Sequence, residues 1–160
     1  MEPTSSRRHT PTEVRPVESE ECVRAPVAIV EASPEGGRRL ASAYWREVER
    51  TTGGLIRVSR SPHGLALRAL GATVLRFGLP RIEFAGDRVS CCYPIEGGLL
   101  ASRPGGSIAF GQDGTLLTSS ISGFHPRLAF FPGLYSYVQA RLHTAVSRRY
   151  FARLVREGAT

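Results

Sequence analysis

The segment Tyr93-Pro94-Ile95-Glu96-Gly97-Gly98 holds the chain's most unusual grouping of chemistry-bearing residues. A proline breaks a strand pattern, a glycine pair permits a bulge or a close backbone approach, and Glu96 stands between them. Bulges re-aim side chains, and a carboxylate turned into an apolar cavity gains a raised pKa and can act as a general acid or base. The same residues also make an ordinary hairpin with a solvated Glu96, and turn chemistry favours that reading. His63 and His125 adjoin prolines in turns, and His143 is expected on the polar face of a helix. None of the three belongs to an H-x-x-x-H or C-x-x-C arrangement, so no metal site is expected from local spacing. No G-x-S-x-G elbow is present, which leaves a Ser–His or Cys–His pair to be assembled only in space. Gly97-Gly98 and Gly105-Gly106 fit neither a phosphate loop nor a dinucleotide fingerprint, so no cofactor is expected.

Cys22, Cys91 and Cys92 form no framework. Adjacent cysteines in a strand point to opposite faces, which suits neither one disulfide nor one metal. They read as small packing residues in a reducing compartment. The chain has 160 residues, a net charge of +7 and a pI near 10.1. Such a balance ordinarily suggests nucleic acid or an anionic membrane. All 21 basic residues are Arg, however, with no Lys, and that pattern reads as a compositional bias. No run of aromatics among basic residues resembles a base-stacking surface, so no nucleic acid is expected. Without a signal-like apolar segment or a membrane-length apolar run, the expected location is cytoplasmic.

The elements that must position these residues divide by period. Residues 1–24 are rich in Pro, Ser, Thr and Glu and are expected to be a disordered tail, with one domain over 25–157. The tail takes five acids and four Arg, leaving seventeen Arg against nine acids for the domain. Ala25 to Ala32 is the expected first strand. Ser33-Pro34-Glu35 opens a helix, Gly36-Gly37 weakens its first turn, and the pattern recovers from Arg38 to Glu49. From Leu55 the period becomes 2, predicting seven or eight short strands in an antiparallel meander with Arg57, Arg68, Arg76, Arg81 and Arg88 facing solvent. Pro94 is expected to interrupt the strand that begins at Arg88. Gly133 to Arg156 then predicts a long amphipathic helix with Leu134, Tyr135, Val138, Leu142, Ala145 and Val146 on its apolar face. Near its end Tyr150, Phe151, Leu154 and Val155 leave that stripe, offering a face to a second copy, a partner or a membrane surface unless the sheet covers both sides.

Strand, helical excursion, meander and long final helix resemble the helix-grip fold of the START and Bet v 1-like superfamily, with its polyketide cyclase and dehydratase-like members. Ala32-Ser33-Pro34-Glu35 is similar to that family's opening, and Trp45 falls where the family often places an aromatic. The resemblance implies an α+β domain whose curved sheet wraps the last helix around an apolar cavity. On it, Ile56, Leu67, Leu75, Phe84, Tyr93, Leu134, Val138 and Leu142 are the expected lining for a hydrophobic or amphipathic small molecule. A solid core fits the same residues. A cyclase or dehydratase using Glu96 in that pocket is the alternative, and an interaction protein using the Arg-rich surface is a third.

Overall fold

The computed structural model describes residues 15–127 and 132–158, with side chains from residue 141 onward in the second stretch. The architecture is α+β: an open, curved, eight-stranded antiparallel sheet with two helices against its concave face. The chain order is β1 (Val17–Arg24), α1 (Pro34–Thr51), β2 (Ile56–Ser61), β3 (Gly64–Ala69), β4 (Ala72–Phe77), β5 (Arg81–Ala85), β6 (Arg88–Gly97), β7 (Ser107–Asp113), β8 (Leu116–Phe124) and α2 (Pro132–Gly158). In the sheet the order is β1-β8-β7-β6-β4-β3-β2, with β5 added on β6. The first strand thus lies beside the last, and the topology is helix-grip-like.

Two expectations near the N-terminus are corrected. Val17–Arg24, assigned above to a disordered tail, is an edge strand in antiparallel register with β8 from Val17↔Phe124 to Arg24↔Leu116. Its inward positions include Ser19 and Glu21, so hydropathy hides it. Backbone pairing holds it, together with the bond that Thr144 Oγ1 on α2 donates to Glu21 at 2.9 Å. Residues 1–14 lie outside the described residues. The expected strand Ala25–Ala32 is instead irregular backbone, and its hydrogen bonds go to a side chain. Gln112 Oε1 accepts from Ile29 N and Val30 N at 2.9 and 3.0 Å, while Gln112 Nε2 donates to the Val30 carbonyl at 2.8 Å.

α1 begins as its residues dictate: the Ser33 hydroxyl accepts from Gly36 N at 3.1 Å, and Pro34 fills the first turn. The helix runs without a break through Gly36-Gly37, because tertiary packing needs both positions bare. A Cβ on Gly37 would lie 2.7 Å from Ile82 Cγ2 of β5, so the glycine lets the helix sit on the sheet. Pro94, expected to end a strand, lies inside β6 at the seam where its neighbour changes. Arg81↔Cys92 is the last β5 pair and Phe77↔Ile95 belongs to β4. The Pro94 carbonyl accepts from Gly78 N at 3.0 Å, and its missing N–H costs no ladder bond at that seam.

The face of α2 also differs from expectation. His143 and Ser147, placed on the polar side by hydropathy, are buried, and Ala145 is exposed. The buried stripe is His143, Val146, Ser147, Tyr150 and Leu154, at helical spacing. Of the four residues expected on a free face, Tyr150, Phe151 and Leu154 are in the core and Val155 is half-buried. Glu47 of α1, itself buried, accepts from Arg153 Nε of α2 at 3.0 Å and lies 3.6 Å from Arg50, tying the helices together. Among the described residues no helix is long and apolar enough to cross a membrane.

Candidate functional site

Between the helices and the concave face of the sheet lies a cavity of about 90 Å³. α1 contributes Tyr44, Trp45 and Val48, and α2 contributes Leu142, His143 and Val146. Strands β2, β3 and β4 place Ile56, Leu67, Leu75 and Phe77 there because alternate residues share a face. Ile95, Ile108, Ile121 and Phe124 complete the wall from β6 to β8.

Four residues expected as lining therefore meet around one space: Ile56, Leu67, Leu75 and Leu142. The side chains of Leu134 and Val138 lie outside the described residues. Phe84 is not at the cavity; it is 53% exposed near the hairpin end of β5, one pleat beyond Ile82. Tyr93 is half-buried and stands edge-on to Trp45 with ring centroids 5.5 Å apart, behind the lining rather than in it. Glu96 points away from the cavity that its neighbour Ile95 lines. Its exposed carboxylate lies 3.7 Å from Arg76 Nε, on strand β6 rather than in a hairpin, and it is not among the residues around the cavity.

The chemistry that does face the cavity comes from residues the sequence reading treated otherwise. Tyr44 Oη and His143 Nδ1 are 3.0 Å apart and buried. Burial pushes the Tyr44 hydroxyl well above the usual tyrosine range and pulls His143 below its ordinary value. The pair is therefore a neutral phenol and a neutral imidazole. Tyr150 Oη is buried without a hydrogen-bond partner, while His143 Nε2 and Trp45 Nε1 lack a well-aligned one, the polar neighbours of these two side chains being the Ser119 backbone and the Tyr93 hydroxyl. In one tautomer of His143 this Nε2 is an N–H donor; in the other it is a lone pair.

These atoms belong to one cluster. Tyr44 stands 5.4 Å from Trp45, 5.5 Å from Tyr150 and 6.2 Å from His143, ring centroid to centroid. Phe110, fully buried at 4.4 Å from Tyr44, fixes the group from the sheet side. Next to it Ser147 donates to Ser119 at 3.3 Å, joining α2 to β8. The signal that could have revealed these positions is Tyr44-Trp45 on α1 together with the spacing His143, Ser147, Tyr150 and Leu154. An i, i+4, i+7, i+11 pattern marks a helix face even where two of its members are polar.

The free thiols carry no such arrangement. Cys91 is fully buried and its thiol is pushed up to about 11 by burial, which makes it a packing residue rather than a nucleophile. Among the described residues no group of three or more His, Cys, Asp or Glu could hold a metal ion. Against known proteins the chain stands apart: no family model, no curated protein and no solved structure matches it.

Proposed function

We propose that this chain is a binding protein of START and Bet v 1-like kind, which holds a small amphipathic molecule between sheet and helices. The observation that carries the reading is the set of buried polar atoms around Tyr44 that lack a well-aligned hydrogen bond, beside a space otherwise lined by aliphatic and aromatic side chains. Buried polar groups are nearly always satisfied, so the poorly met donors of His143 and Trp45 on the cavity wall leave a place for a ligand's polar group. An apolar body supplies affinity through burial, and one polar group meets His143 or Trp45. A hydroxyl suits both tautomers of His143, since it donates and accepts; a carbonyl suits the Nε2–H form.

The volume limits the size. About 90 Å³ is less than the roughly 150 Å³ that accommodates benzene in an engineered apolar cavity, so a short-chain group fits as the space stands and a single six-membered ring enters only as the walls yield. Native mass spectrometry of the purified chain, followed by organic extraction, tests this directly. The expected result is a stoichiometric small adduct that extracts as a hydroxyl- or carbonyl-bearing apolar compound. A bare mass in every preparation, persisting after incubation with phenol and cyclohexanol, contradicts it.

A further inference from the structure

Leucine occupies a place in this fold where hairpin chemistry asks for asparagine. β3 and β4 are joined by the two-residue loop Leu70-Gly71, whose φ values are +51° and +82°. Two positive φ values mark the primed turn that Asn-Gly or Gly-Gly ordinarily makes. Leu70 is the one non-glycine residue in the left-handed region among the described residues, and it is 93% exposed. Neither intrachain packing nor backbone preference accounts for an aliphatic side chain at that tip.

Its surroundings are organised. Leu55, 58% exposed just before β2, lies with Leu70 along one shallow surface depression that also includes Arg57 and Arg68. Those two arginines are directly opposite each other in the β2–β3 register; Arg68 Nη2 donates to the Gly71 carbonyl of the loop at 2.8 Å, and neither arginine meets a carboxylate among the described residues. Like charges paired across strands repel, so the arrangement favours an anionic partner.

We infer that this hairpin tip docks the chain on an anionic lipid surface, with Leu70 and Leu55 entering the headgroup boundary and Arg57 and Arg68 meeting lipid phosphates. Exposed leucines flanked by cations that meet no carboxylate match both layers of such a surface. A second copy of the chain fits less well, since a two-fold contact would bring the arginine pairs of both copies together. The inference does not depend on the cavity being occupied.

Sedimentation of the full chain with vesicles at low salt tests it. Vesicles of phosphatidylcholine containing phosphatidylglycerol are expected to pellet the protein, and pure phosphatidylcholine vesicles are not. Leu70→Asn places a residue suited to positive φ at the tip, so its Tm is expected to hold or rise while vesicle affinity falls about tenfold. Arg57→Gln and Arg68→Gln are each expected to weaken binding roughly fivefold. Equal binding to neutral and anionic vesicles, or binding unchanged in Leu70→Asn, would overturn the inference. So would self-association abolished by Leu70→Asn without any vesicle binding.

Discussion

Gln112→Leu is expected to lower the unfolding free energy by about 3–4 kcal/mol, read as a shift of the urea midpoint at constant m-value. The substitution keeps most of the side-chain volume, so the loss isolates hydrogen bonding. Three buried backbone groups depend on this one amide: Ile29 N, Val30 N and the Val30 carbonyl. Each is left unsatisfied at a cost of about 1–3 kcal/mol, with partial relief as water reaches the segment. Single domains are stable by only about 5–15 kcal/mol, so this is a large share of the total. Amide exchange at Ile29 and Val30 should accelerate more than exchange in β7 and β8. A loss below about 1 kcal/mol would mean that the clamp does not anchor the segment before α1.

The second large effect is a pH dependence centred on His143. Burial lowers its pKa from the ordinary 6.5, while the Glu21 carboxylate on β1 and a hydrogen bond with the Ser119 backbone act the other way. Tyr44 faces the same ring and remains neutral throughout the relevant range. Above 6.5 both folded and unfolded states hold a neutral imidazole, and His143 contributes no slope. As pH falls below 6.5 the unfolded chain takes up a proton that the folded chain refuses, so stability declines until the folded-state pKa is reached. One proton gives a slope of at most about 1.4 kcal/mol per pH unit. His143→Gln, which retains a polar partner for Tyr44, should flatten this part of the profile below pH 6.5. Equal slopes in both proteins would show that His143 is protonated as readily folded as unfolded.

Period and turn chemistry made most of the sheet readable. Ile56, Leu67 and Leu75 fall on the cavity side because strict alternation from Leu55 onward leaves them no other face. The paired glycines and prolines placed the hairpins for the same reason. What stayed hidden was polar. β1 carries Ser19 and Glu21 inward and is held by backbone pairing to β8, an interaction that composition does not register. His143 and Ser147 looked like a solvated helix face, yet their partners Tyr44 and Ser119 lie far away in sequence. Hydropathy ranks residues one at a time, whereas burial of a polar side chain depends on the partner it finds. Phe84 failed in the opposite sense. It alternates correctly with Ile82, but β5 pairs only with β6 and the cover given by α1 ends before the strand does.

The same polar residues carry the functional reading. An apolar space with a neutral phenol–imidazole pair at its wall can select among ligands by one hydrogen bond, because leaving that pair unmet costs more than a missing methylene. Trp45 provides the direct measurement. It is the chain's single tryptophan and it lines the cavity, so its emission reports on what enters. Titration with phenol and cyclohexanol is expected to give a saturable change in Trp45 emission, lost in Ile121→Phe, which fills the same space from β8. Emission unaffected by either compound, with Ile121→Phe more stable than the parent chain, would contradict the account and identify the space as an imperfectly packed core.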